Sequence, residues 1–247
     1  MMKNIVKTIL PVATIVAAGL AAQPASAGTA PKVTADLIKL GETAYKRECA
    51  MCHSETGNGK GAGAYILDPK PRNFELGVYK LRSTPNGEPP TAGDLFKTIT
   101  NGVPNSMMPA FAALSEKERW GLAHVLLRFG GLEEEKPKSV KVSAEPKTTA
   151  DGVANGKKIY VKLKCDTCHG ADGWGEGPSS LTLKNDAKER IYPANLTSGV
   201  FKGGSSAKDL YIRIATGMDG SPMPSYSAEA KPNEIWDLVH YVQTLAK

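Results

Sequence analysis

Cys49-Ala50-Met51-Cys52-His53 and Cys165-Asp166-Thr167-Cys168-His169 together use all four cysteines of the 247-residue chain. Both read C-x-x-C-H. Two cysteines three apart lie on nearly one face of a helical turn, so their sulfurs can form thioethers with the two vinyl groups of one haem. The next residue then points its imidazole at the iron. This is the c-type haem attachment signal, and it assigns Cys49, Cys52, Cys165 and Cys168 to the porphyrin and His53 and His169 to iron. Disulfides, the usual reading for an exported chain, do not account for the spacing. A zinc site leaves both histidines without a reason and has its cysteine pairs far apart in the chain.

The sequence around the two motifs repeats. Gly41-x-x-x-Tyr45 precedes the first and Gly156-x-x-x-Tyr160 the second. Gly57, Gly59 and Gly61 follow one; Gly173, Gly175 and Gly177 follow the other. Pro71-Arg72-Asn73…Gly77-Val78-Tyr79-Lys80 matches Pro193-Ala194-Asn195…Gly199-Val200-Phe201-Lys202. Met108-Pro109-Ala110-Phe111 matches Met223-Pro224-Ser225-Tyr226, and Trp120-x-x-x-His124 matches Trp236-x-x-x-His240. A duplicated haem domain explains all of these, with expected bounds of 28–130 and 151–247 joined by a linker over 131–150. The linker carries Glu133-Glu134-Glu135, four lysines, Pro137 and Pro146, and reads as a solvated, semi-extended tether.

Each repeat is expected to be all-α, with three helices and long loops. The first helix is expected over Ala35–Cys49 and Asp151–Cys165. The second spans Asp94–Asn101 and Asp209–Thr216, with Thr91 and Ser206 as N-caps and Gly102 and Gly217 stopping it in a left-handed conformation. The third spans Glu116–Phe129, opened by the capping box Ser115-x-x-Glu118, and Pro232–Leu245, with Pro232 at the first helical position. Tyr45, Tyr160, Trp120 and Trp236 are expected to pack first helix on third. The long loop after each motif fits a large apolar ligand packed beneath it.

The second iron ligand is a choice among few residues. Setting aside Met1, Met2 and the Met51 inside the motif, Met107, Met108, Met218 and Met223 remain. Only Met108 and Met223 align in the repeat, each before a proline, so they are the expected ligands. His124 and His240 also align and are the rivals. Arg72, without a counterpart at Ala194, is a candidate partner for a haem propionate.

The start of the chain has Lys3 and Lys7, an apolar stretch Ile9–Ala22 and Ala25-Ser26-Ala27. It reads as a signal peptide, 1–27, cleaved after Ala27, which places the mature chain in the periplasm. The apolar stretch is short of the ~20 residues of a membrane span, so no transmembrane segment is expected in the mature chain. The net charge of +6 includes those two lysines, and the modest excess left gives no case for nucleic-acid binding.

The order C-x-x-C-H, long loop, Met-Pro, terminal Trp-bearing helix resembles that of class I cytochromes c. The tandem copy is similar to the two-domain dihaem cytochromes c of bacterial periplasms, over about Val33 to Leu245. Segments Pro71–Thr84 and Tyr192–Ser206 resemble those of dihaem cytochromes serving respiratory oxidoreductases, including molybdenum enzymes. The resemblance implies an electron carrier rather than an enzyme, with two covalent haem c groups and His/Met irons. Its partners are then redox proteins: an oxidoreductase such as a molybdenum enzyme, a membrane quinol-oxidising complex or a terminal oxidase. The competing functions are a haem subunit of a larger oxidoreductase complex and a haem enzyme such as a peroxidase, which needs an open or labile iron.

Overall fold

The computed structural model describes residues 30–246. The expected leader, 1–27, lies outside them. Among the described residues there are eight α-helices and no strand beyond one isolated bridge, Lys184 to Arg190. None of the helices is long and apolar enough to cross a membrane. The first half holds α1 (Ala35–Glu48), α2 (Ala50–His53), α3 (Ala92–Asn101) and α4 (Glu116–Phe129). The second holds α5 (Ala150–Lys162), α6 (Asp166–His169), α7 (Ala207–Thr216) and α8 (Pro232–Leu245) in the same order.

Helix starts follow from capping chemistry. Thr91 and Ser115 close full capping boxes with Asp94 and Glu118, and Ser206 accepts from the Asp209 amide. These side chains satisfy amides that the first helical turn leaves unpaired. The second helix begins two residues earlier in each copy than expected, at Ala92 and Ala207, because the residue after each cap is already helical. The first helix is shorter than expected, ending at Glu48 and Lys162. In the second copy Lys164, at φ 57°, breaks the backbone before Cys165. Gly102 and Gly217 do stop their helices, but at φ/ψ of 66°/−167° and 68°/−162° rather than in the left-handed helical well. That region is open essentially to glycine alone. It turns the chain sharply into the Met-Pro segment, and an added Cβ would fall 2.6 Å from Pro109 C or Pro224 C.

The first and last helices of each half cross at glycine. A Cβ on Gly41 would sit 2.3 Å from the Gly121 carbonyl carbon, and one on Gly156 would sit 2.0 Å from the Asp237 carbonyl oxygen. Backbone-to-backbone contact at the crossing explains Gly41 and Gly156 in the repeat. Each half then has its own core. Leu37, Phe96, Trp120 and Leu126 belong to one and Ile159, Tyr211, Trp236 and Val239 to the other. Trp120 stacks on Phe96 of α3 at 4.3 Å, and Trp236 packs on Tyr211 of α7 at 4.6 Å. The tryptophans thus join the third helix to the second. The tyrosines join first helix to last: Tyr45 meets Phe129 and Tyr160 meets Tyr241.

The halves meet through the same segments of each copy. The Asn105 amide reaches the Val200 carbonyl at 3.5 Å, while a side chain at Gly220 would press on Val78. Since Val78 matches Val200 and Asn105 matches Gly220 in the repeat, the contact is pseudo-two-fold, as in an isologous dimer. After a turn at Glu133 and Glu134, the segment 135–149 has no regular structure and is largely exposed, yet it is held at four points. Val140 N–H donates to Ser83 O at 2.8 Å and Ser139 Oγ meets Ser83 Oγ. Trp236 Nε1 donates to Ser143 Oγ at 2.9 Å, and His240 Nε2 lies 3.4 Å from Glu145 Oε1. It is a strap over the last helix of the second half rather than a free tether.

Candidate haem-binding sites

In each half the attachment motif forms one short helical turn, α2 or α6, set directly after the first helix. Tyrosine hydroxyls brace its end: Tyr45 Oη donates to Ser54 O at 2.8 Å and Tyr160 Oη to Gly170 O at 2.7 Å. The glycines that follow wrap the chain back onto the turn. Gly59 N–H donates to His53 O and Gly61 N–H to Cys52 O; Gly175 and Gly177 do the same to His169 and Cys168. A Cβ on Gly61 would lie 2.3 Å from Met51 O, and on Gly177 2.4 Å from Asp166 O. These glycines serve close approach of the chain to the attachment turn itself.

The four cysteines are partly buried, and none is in a disulfide among the described residues. Burial pushes Cys49 up to about 12 and Cys165 up to about 11. Neither is a reactive thiolate, which needs an electropositive, exposed setting. The histidines carry the more telling geometry. His53 Nδ1 lies 3.0 Å from Arg72 O, and His169 Nδ1 lies 3.0 Å from Ala194 O. A carbonyl oxygen can only accept, so in both rings Nδ1 carries the proton and Nε2 keeps its lone pair free. Burial lowers both imidazole pKa values, which favours the neutral, ligating form. A backbone acceptor on the far nitrogen is the usual way a metal-bound imidazole is oriented. The loop supplying that acceptor is pinned by Asn73 and Asn195, whose Oδ1 atoms each accept an amide two residues on at 2.9 Å. It is closed further by Phe74 N–H to Gly57 O and Leu196 N–H to Gly173 O.

The Met-Pro segments also match. Val103 N–H donates to Met108 O at 3.1 Å and Met218 N–H to Met223 O at 3.0 Å. Phe111 N–H donates to Ile99 O, and Tyr226 N–H to Ile214 O. Met108 and Met223 are partly buried, whereas Met107 is 67 % exposed. Met218 opens the second loop rather than closing it.

The histidine rivals sit elsewhere. His124 lines a groove of about 440 Å³ with Val33, Ile38, Pro90 and Pro137, and its buried Nε2 has no partner. His240 is buried and faces Glu145 of the strap. Among the described residues no group of three His, Cys, Asp or Glu could hold a metal ion, and the two cysteine pairs belong to different halves. Arg72 is half-buried rather than exposed. It is largely desolvated, which lowers its pKa, and it faces Asp186 and Glu189 across the seam. Lys80 and its repeat partner Lys202 come near one another there. Burial and the neighbouring Arg72 bring Lys80 down to about 8.

Sequence reasoning did not single out Phe74, whose ring stacks on His53 at 4.5 Å, nor Arg82, whose buried side chain crosses the seam to Asp219. The lone aromatic at 74 against Leu196 in the repeat was the available signal for the first. For Arg82 there was none, since it matches Gly204.

Two half-chains of one architecture, each presenting two thiols, a lone-pair imidazole and a looped thioether, define a tandem haem-binding protein. The residues fit the group: one turn carries both anchoring sulfurs, and the imidazole is fixed from behind. The cytochrome c family matches the chain twice, over residues 38–128 and 153–246, and the chain belongs to that family. Its two domains serve haem-based electron transfer. Among solved structures it is similar to a chain of a reducing HAO-like protein complex of Kuenenia stuttgartiensis. The identity is 43 %, the TM-score 0.82, and the match covers 87 % of this chain and 98 % of that one. No curated protein matches.

Proposed function

We propose that the chain is an exported, periplasmic dihaem cytochrome that passes single electrons between respiratory redox partners, and that it is not itself an enzyme. When bound, each haem supplies a one-electron ferric/ferrous couple. Cys49 and Cys52 anchor one, Cys165 and Cys168 the other. His53 and His169 present Nε2 to iron while Arg72 O and Ala194 O hold the rings in place. Met108 and Met223 supply thioethers, soft ligands that favour the ferrous state and raise its potential. With a histidine and a methionine of the chain to hold each iron, neither domain would offer a coordination position to a substrate. The observation that carries this reading is the twofold recurrence of one geometry, down to the imidazole Nδ1 on a backbone carbonyl. An open-site enzyme has no need of the same Met-Pro loop in both copies.

The 43 % identity to a chain of the HAO-like complex supports a second reading with the same chemistry. There the protein is the fixed cytochrome subunit of a larger oxidoreductase, and its partner is the complex rather than a diffusing protein. Expression in a host that matures c-type cytochromes tests the common part. Intact mass after acid-acetone extraction is expected to exceed the mature polypeptide by two haems, and a bare polypeptide mass overturns the proposal. Size-exclusion of native extract separates the two readings: elution near the monomer mass supports a free carrier, and co-elution with a larger haem protein supports the subunit.

A further inference from the structure

We infer that Arg82, in the first domain, is a positioning residue for the Met223 loop of the second, so that ligation in the second domain depends on the first but not the reverse. The inference rests on the reading of Met223 as an iron ligand. Arg82 lies just beyond the seam lysine Lys80, and its side chain is fully buried. Nε donates to Asp219 Oδ2 at 2.7 Å, and one terminal nitrogen pairs with Asp219 Oδ1. The same nitrogen reaches Thr216 O at 3.1 Å, and the other donates to Thr84 O at 2.5 Å. Gly87 N–H adds a third donor to Asp219, at 3.0 Å.

Thr216 ends α7, and Asp219 sits inside the loop that Met218 N–H closes onto Met223 O. The loop from Met218 to Met223 is therefore gripped at its stem and at its second residue by one guanidinium from the other domain. Bidentate, charge-assisted bonds of this kind fix geometry as well as energy. The repeat shows that the grip is one-sided. Arg82 matches Gly204 and Asp219 matches Pro104, so the second domain has no equivalent to offer. Each Met loop has a serine closure of its own, Ser106 Oγ to Val103 O at 2.6 Å and Ser221 Oγ to Met218 O at 2.7 Å, so the guanidinium is what distinguishes the second loop. The cross-domain bond of the Met108 loop among those described is the weak Asn105 amide to Val200 O, at 3.5 Å. Lys97 and Asp209 form another ion pair across the seam, but neither belongs to a Met loop.

The test uses the full-length holoprotein with M108A as background, so that the remaining ferric sulfur-to-iron band belongs to the second domain alone. D219N and R82M are each introduced, with R82M/D219N as a version that leaves no buried charge unpaired should a single variant fail to fold. K97M serves as a control for domain docking in general. Loss of the grip raises the population of the open loop, so cyanide affinity of the second iron is expected to rise by about tenfold or more. The band is expected to weaken in parallel, and K97M to leave both unchanged. In the Met108-bearing protein the first domain's band and potential are expected to stay as they were. Unchanged band and cyanide affinity in the double variant overturn the inference, as does an equal change with K97M, which marks simple loosening of the seam. If M223A alone leaves the full band, the ligand reading fails instead, independently of Arg82.

Discussion

The two halves of the chain hold their candidate iron ligands with the same bonds and stabilise them by different means. Both fix an imidazole at 3.0 Å from a backbone carbonyl and turn into the Met-Pro loop through a glycine with φ near 67°. Behind the imidazole, however, the first half stacks Phe74 and continues the stack to Tyr79 and Phe129. The second half has Leu196 and Leu245 at the places of Phe74 and Phe129, and an aromatic, Phe201, only at that of Tyr79. Both halves also take support from outside. The strap bonds the first half at Ser83 and the second at Trp236 and His240. Arg213 of the second half donates to Lys80 O at 2.7 Å, and Arg82 of the first grips Asp219. Between the copies the candidate haem-binding groups are alike, while the supports around them differ. The second domain has its Met-Pro loop held by a guanidinium from its neighbour, and the first has the aromatic stack.

The largest way to break the likeness is to empty one site. Replacing Cys165 and Cys168 with Ala is expected to halve covalent haem per chain, read by intact mass, and to leave the first domain's spectrum in place. Loss of both haems means that the second domain is required for maturation of the first. Next in size are the axial thioethers. M108A and M223A are each expected to remove half of the ferric sulfur-to-iron band, to open one iron to cyanide, and to lower that iron's potential. A full band in both variants returns the choice to Met107, Met218, His124 and His240.

The crossing glycines sharpen the comparison at the level of the scaffold. G41A and G156A each push a Cβ into backbone, and overpacking of this kind costs about 1–3 kcal/mol, sometimes more. G156A is expected to be the worse of the two, since its contact is tighter and meets Asp237 rather than a second glycine. Thermal denaturation followed at each domain's haem spectrum checks the order. The smallest effect is expected from F74L, which makes the first domain's backing resemble the second's. Loss of an aromatic stack is worth about 0.5–1.5 kcal/mol, and chemical denaturation of the first domain reads it. No change indicates that the Phe74 ring only fills space.

The parts legible in the sequence were those set by local chemistry. Thr91, Ser115 and Pro232 announce helix starts because capping is decided within four residues, and α4 and α8 end where the apolar periodicity ends. The attachment motifs, their histidines and the aligned Met-Pro pairs were readable because a duplicated chain displays its own constraints twice. Contacts made only when the two halves close on each other were not legible. Arg82 reads as an ordinary surface arginine until the second domain closes over it, and Ser143 and Glu145 read as linker until α8 lies beneath them. The stacking of Trp120 on Phe96 and of Trp236 on Tyr211 was not foreseen, because sequence spacing fixes which face of α4 or α8 they occupy but not every neighbour that meets it. The role of the glycines after each motif likewise depends on the chain folding back on itself.

Carbon monoxide titration of the fully reduced holoprotein is the most direct test of two closed, electron-carrying sites. With His53 and Met108 on one iron and His169 and Met223 on the other, the ferrous spectrum is expected to stay unchanged at carbon monoxide concentrations that saturate an open haem. Stoichiometric binding at one iron contradicts the account: that domain then has an open position, and the chain is an enzyme or a sensor at that site rather than a carrier.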